Sequence, residues 1–104
     1  MEDFVERGNL YELYGGLLKE NQRVVYEYHV MDDMSFTEIG EELSITRQAA
    51  QELFRRADEK LRKTEETLGL QRKFERVRSL ALKIRDSSDE ENVKELAGEI
   101  INGI

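Results

Sequence analysis

Apolar residues step along this chain in threes and fours, the spacing of one face of an α-helix. No segment alternates polar and apolar residues with the β-branched enrichment of a strand. Leu10, Leu13, Tyr14, Leu17 and Leu18 make the first face. Its period continues through Gly15-Gly16, which predicts a helix that tolerates the pair at about 1 kcal/mol each relative to alanine. Val24, Val25 and Tyr28 point inward from a second predicted helix over 21–30, and Asp32-Asp33 breaks the pattern. A short helix over 35–43 is the best marked, because Ser35 and Glu38 have the spacing of a capping box. Its inner positions are Phe36, Ile39, Gly40 and Leu43. From Arg47 a long helix runs through Ala50, Leu53, Phe54, Ala57 and Leu61 toward Leu68, with Gly69 as its stop or hinge. Leu70, Phe74, Val77, Ala81 and Ile84 predict a fifth helix. Past Ser87-Ser88-Asp89, Val93, Leu96, Ala97, Ile100, Ile101 and Ile104 predict a sixth, with Ser88 and Glu91 spaced as a second capping box.

Residues 36–54 carry the one motif with chemical content. A helix-turn-helix needs a small residue where its helices approach, apolar residues flanking the turn, and an N-cap opening the second helix. Gly40, then Leu43 and Ile45, then Thr46 meet those needs, and Ala50 and Leu53 supply the inward positions beyond. Ser44 is the departure: glycine commonly sits there to relieve a left-handed backbone. The expected fold is therefore all-α with five to six helices. It comprises a helix-turn-helix domain over 1–68 (motif at about 35–56), a long fourth helix, and a C-terminal helical extension over 69–104. Two apolar faces on so short an extension suggest that it completes its core by pairing with a second copy.

Charge sharpens this picture. The 104 residues carry a net −7, unevenly: residues 1–46 hold 3 bases and 11 acids, 47–78 hold 10 and 6, and 79–104 hold 3 and 6. The basic middle begins where the second helix of the motif begins. An acidic chain repels polyphosphate at long range, so nucleic-acid binding has to come from a local patch. The outward residues at the start of that helix are Thr46, Arg47, Gln48, Gln51, Glu52 and Arg55, and Arg56, Lys60, Arg62 and Lys63 extend the basic surface. Arginine and glutamine can bond base edges bidentately, and threonine can bond phosphate. Thr46, Arg47, Gln48, Gln51, Arg55, Arg56 and Lys60 are the candidate contacts. The plainer reading makes them solvated charges on a long helix, diluted by Glu52, Asp58, Glu59, Glu65 and Glu66 and fronted by Glu38, Glu41 and Glu42.

Other chemistry is thin. Without cysteine there is no disulfide, thiolate nucleophile or Cys-based metal site. His29, the only histidine, reads as structural. Tyr11, Tyr14, Tyr26 and Tyr28 read as core residues with hydroxyls reaching the surface, base stacking being the alternative. Asp32-Asp33 near Glu27 lacks calcium-loop spacing and reads as a polar turn. No Gly-rich phosphate loop or nucleophile–base set appears, so no catalytic, cofactor or metal site is expected. No apolar run is long enough to span a bilayer, and the acidic Met1-Glu2-Asp3-Phe4 start lacks a leader pattern; a cytoplasmic chain is expected.

Residues 35–63 resemble region 4 of bacterial sigma factors. A closer resemblance, over most of residues 9–70, is to the YlxM family of small bacterial helix-turn-helix proteins. It rests on Leu10-Tyr11-Glu12-Leu13-Tyr14, Leu17-Leu18, Gln22-Arg23, Asp32-Asp33, Ser35, Glu38-Ile39, Glu41-Glu42, Arg47-Gln48-Ala49 and Arg56. Ala50 and Gln51 depart from that family's β-branched and aromatic preferences, and residues 71–104 match it only as amphipathic helix. The resemblance implies a cytoplasmic regulatory protein, without enzyme activity, acting on the RNA or the GTPase of the signal recognition particle. A DNA-binding transcription regulator and a protein-interaction module using the same motif stay open beside it.

Overall fold

The computed structural model describes residues 2–104, with side chains from Phe4 onward. The Met1-Glu2-Asp3 part of the acidic start lies outside the described side chains. The elements in order are α1 (Glu2–Tyr14), a tight 3-10 turn (Gly15–Leu17), α2 (Glu20–Tyr26), a widened π turn (Glu27–Met31), α3 (Phe36–Leu43), α4 (Arg47–Leu68), α5 (Leu70–Ser87) and α6 (Glu91–Gly103). No strand occurs among the described residues. The all-α class stands, with six α-helices among the described residues.

The chain divides into two compact units, one ending at Leu68 and the other Gly69–Ile104. In the first, α1, α2 and α3 pack on α4, which acts as the spine. Leu10, Val25, Tyr26, Ile39, Ala50, Ala57 and Leu61 are fully buried there, with Tyr14, Leu18 and Phe54 nearly so. Burying each of Leu10, Ile39 and Leu61 contributes roughly 1.5–3 kcal/mol before cavity effects. Gly69 ends α4 in the left-handed region, at φ 63°. In the second unit α5 packs on α6.

Three expectations are corrected. The first helix does not run through Gly15-Gly16: α1 stops at Tyr14 and the chain tightens. The Tyr11 ring lies 2.7 Å from where a Gly15 Cβ would stand, so the glycine is there to receive that ring. The register resets, burying Leu10, Tyr14 and Leu18 while Leu13 and Leu17 remain exposed. The helix predicted over 21–30 is α only to Tyr26, and the inward tyrosine is Tyr26 rather than the half-buried Tyr28. The π turn beyond it is closed by Asp32 N–H donating to the Glu27 carbonyl at 3.1 Å. Finally, Ser88 and Glu91 do not form a box: the Ser88 hydroxyl accepts from the Glu90 N–H at 3.2 Å, and Glu90 caps α6 without its side chain.

Candidate nucleic-acid interface

The turn between α3 and α4 is built from local chemistry. Ser35 Oγ accepts from the Glu38 N–H at 3.1 Å, and Glu38 Oε1 accepts from the Ser35 N–H at 3.0 Å. The Ser35 backbone N–H, and then its hydroxyl, hold the Glu38 carboxyl below its usual range. Ser44 ends α3 in the left-handed conformation, φ 58° and ψ 43°, at the position where glycine is the unstrained choice. The Ile45 N–H then donates to the Gly40 carbonyl at 2.9 Å. A Cβ on Gly40 would stand 2.7 Å from the Ile45 carbonyl oxygen. The small residue is thus required by the turn's own backbone. Thr46 Oγ1 accepts from the Ala49 N–H at 3.0 Å and opens α4.

A second anchor orients α4 from behind. Asp58, with a side chain 14% exposed, accepts from Arg7 Nε at 3.0 Å and the Tyr26 hydroxyl at 3.1 Å through Oδ1, and from Arg62 Nε at 3.0 Å through Oδ2. Burial works against its ionisation, and the bonds from Arg62 and Arg7 outweigh it, leaving the carboxyl below its ordinary value. Burial first, then the Asp58 charge and bond, push the Tyr26 hydroxyl up. His29 sits in an aromatic cluster, stacked on Phe36 with centroids 4.3 Å apart and edge-on to Phe54 at 4.7 Å. Its Nδ1 donates to the Met34 carbonyl at 2.8 Å, pinning the loop before α3. His29 is structural. Tyr14 and Tyr26 likewise carry their hydroxyls to α4 carboxylates, Glu65 at 2.7 Å and Asp58 at 3.1 Å.

The seven candidate residues, Thr46, Arg47, Gln48, Gln51, Arg55, Arg56 and Lys60, are all exposed. Five of them line two shallow grooves that meet at Arg55. Gln48, Gln51 and Arg55 share a groove of about 490 Å³ with Arg7, His29 and Phe36. Arg55, Arg56 and Lys60 line a shallow strip along α4 with Glu59 and Lys63. Glu52 and Glu59 occupy the middle of the outward face and hold the arginines. Arg55 donates to Glu52 at 2.6 and 3.0 Å and to Glu59 at 2.9 Å, and Arg56 donates to Glu52 at 3.0 Å. Bonds from Arg55 and Arg56 pull the Glu52 carboxyl down to about 2. Arg47 and Lys60 are the candidate cations without an ion pair among the described residues.

Sequence reasoning missed Arg7 and Asp58. Their separation of 51 residues leaves no periodic trace; the only local signal is the four-residue step from Asp58 to Arg62. No group of three or more His, Asp or Glu positioned to hold a metal occurs among the described residues, and no helix there is long and apolar enough to cross a membrane.

Two helices closed by a glycine-dependent turn, the second capped by threonine and presenting arginine and glutamine, define a helix-turn-helix protein. Residues 1–100 match the UPF0122 family, described as "Putative helix-turn-helix protein, YlxM / p13 like", and the chain belongs to that family. It is 36% identical over 85 residues to a UPF0122 protein of Caldanaerobacter subterraneus (82% of this chain, 73% of that one). With a UPF0122 protein of Shouchella clausii it shares 35% identity over 95 residues, covering 91% and 87%. A Bacillus cereus UPF0122 protein aligns over 105 residues at 31%, covering 100% and 96%. The family match reaches well past residue 70, so the extension belongs to the family pattern as well. No solved structure matches.

Proposed function

We propose that this chain is a non-enzymatic, regulatory nucleic-acid-binding protein whose contact surface is the first turns of α4. The observation that carries the proposal is the exposure of Thr46, Arg47, Gln48 and Gln51 on a helix start fixed by the Gly40 turn and the Thr46 cap. Arg47 and Lys60 take phosphates, Gln48 and Gln51 meet base edges, and Arg56 joins once released from Glu52, Arg55 once released from Glu52 and Glu59. Resemblance to the YlxM family supports a cytoplasmic role as an accessory of the signal recognition particle, with its RNA as target. The apolar extension supports a homodimer. Fluorescence anisotropy of that particle's RNA, against an unrelated DNA duplex, tests the reading across a salt series. RNA preference with a steep salt slope is expected; DNA preference selects the transcription-regulator alternative.

One observation favours a different class. Carboxylates hold Arg55 and Arg56, and α3 presents Glu41 and Glu42 to solvent. That surface suits a basic protein partner, such as an RNA-binding GTPase. Binding to such a partner that survives nuclease and falls on Glu41→Lys with Glu42→Lys supports this reading over the first.

A further inference from the structure

The second unit has an uncovered face with an order to its charges. Residues 88–90 join α5 to α6, so short a connection that the helices run antiparallel. Ala81 and Ala97 are the unit's buried side chains and mark the line where the helices meet. Next to them Val77, Leu80 and Ile84 on α5 are 39%, 48% and 45% exposed, and Leu96 and Ile100 on α6 are 59% and 42% exposed.

Their placement follows from helix geometry. At about 100° per residue, the α5 trio lies about 40–100° behind Ala81, and the α6 pair about 60–100° behind Ala97. Rotation in the same sense on antiparallel helices puts both stripes on one side of the hairpin. Farther round, at about 140–160° behind Ala81, exposed Arg76 and Lys83 edge the stripe on α5; on α6 exposed Glu99 edges it at about 160° behind Ala97, with exposed Glu95 on the outer flank at about 200°. The face therefore runs from a basic edge through an apolar middle to an acidic edge. The segment totals agree: residues 70–87 hold six bases and two acids, and 88–104 hold one base and five acids.

A helical unit of Gly69–Ile104 is below the ~40 residues at which a chain usually needs a disulfide, a metal or oligomerisation to be stable. It has no cysteine, and no metal-holding group occurs among the described residues. We propose that this face is the interface of a homodimer whose two-fold axis runs along the hairpin, so that each α5 lies antiparallel over the partner subunit's α6. The proposal rests on the homodimer reading above and adds its pairing. That arrangement sets the basic edge on the acidic edge twice, as an isologous contact requires. The other face-to-face pairing, α5 over α5, stacks base on base and acid on acid.

Sedimentation equilibrium of the full chain at low ionic strength tests this. Four proteins are compared: wild type, Arg76→Glu/Lys83→Glu, Glu95→Lys/Glu99→Lys, and the chain carrying all four changes. These positions are exposed, and circular dichroism checks that helicity is retained. The wild type is expected at twice 12.2 kDa. Each double variant weakens self-association at least about tenfold, since like charges then face each other across the interface. The fourfold variant returns to within about threefold of wild type, because swapping both edges restores complementarity. Leu80→Glu removes the dimer. A wild type at 12.2 kDa overturns the homodimer and its pairing together. A dimer indifferent to the four charge changes overturns the pairing alone, and one indifferent to Leu80→Glu places the interface elsewhere.

Discussion

Gly40→Ala and Gly98→Ala make the same chemical change with opposite expected signs. At Gly98, inside α6, an added Cβ meets nothing within 4 Å, so the substitution keeps the helix-propensity gain of about 1 kcal/mol. At Gly40 the same gain is available, but the Cβ arrives 2.7 Å from the Ile45 carbonyl oxygen, and ordinary contact begins at 3.4 Å. The turn has to open by the difference, 0.7 Å. The obstructing atom is backbone, held by the Ile45 N–H bond to the Gly40 carbonyl and followed at once by the Thr46 cap. Neither can swing away as a side-chain tip would. Overpacking of this kind costs roughly 1–3 kcal/mol, so Gly40→Ala ends about 1–3 kcal/mol below Gly98→Ala, a net loss of up to about 2 kcal/mol after the propensity gain. Urea denaturation followed by helical circular dichroism reads both variants, and anisotropy reads whether the α4 start still binds. A Gly40→Ala protein as stable as Gly98→Ala refutes the account of the turn.

Three further outcomes follow from the same contacts. Because the Asp58 carboxyl lies below the ordinary aspartate value near 3.9, its bonds to Arg7, Tyr26 and Arg62 stabilise fully above that value and fade as pH falls through the lower folded value. Asp58→Asn is therefore expected to lose about 1–3 kcal/mol at pH 7 and progressively less as pH falls below the ordinary aspartate value, read by urea midpoints along that range; a loss that does not change with pH contradicts the charge assignment. Thr46→Ala should cost about 1 kcal/mol as a lost N-cap, whereas Ser88→Ala, whose hydroxyl caps no helix, should stay within about 0.5 kcal/mol by the same denaturation. Glu52→Gln frees Arg56 and leaves Arg55 to Glu59 alone, so nucleic-acid affinity should rise about three- to tenfold with a salt slope steeper by about one; unchanged affinity takes Arg56 out of the contact surface.

Local signals in the sequence were legible where the structure is local. The Ser35–Glu38 box, the left-handed Ser44, the Thr46 cap and the span of α4 all depend on residues within four positions of one another, and each is found as read. Where packing decides, periodicity misleads. The apolar step continues past Gly15, whose missing Cβ leaves room for the Tyr11 ring, although α1 ends at Tyr14, and the buried tyrosine is Tyr26 at the end of α2 rather than Tyr28 in the π turn. The exposure of the candidate contacts was legible, but their ion pairing was not. One-dimensional charge counting places Arg55 and Arg56 in a basic patch, while the 3.6-residue repeat puts Glu52 and Glu59 beside them. The Asp58 anchor with Arg7 lies out of reach of any local pattern.

Mapping amide shifts of the isotope-labelled chain during titration with structured RNA tests the central claim most directly. The account predicts that the largest perturbations fall on residues 46–56, with Lys60 following, and that they vanish at high salt. Perturbations confined to residues 38–42 or to the 69–104 extension contradict it.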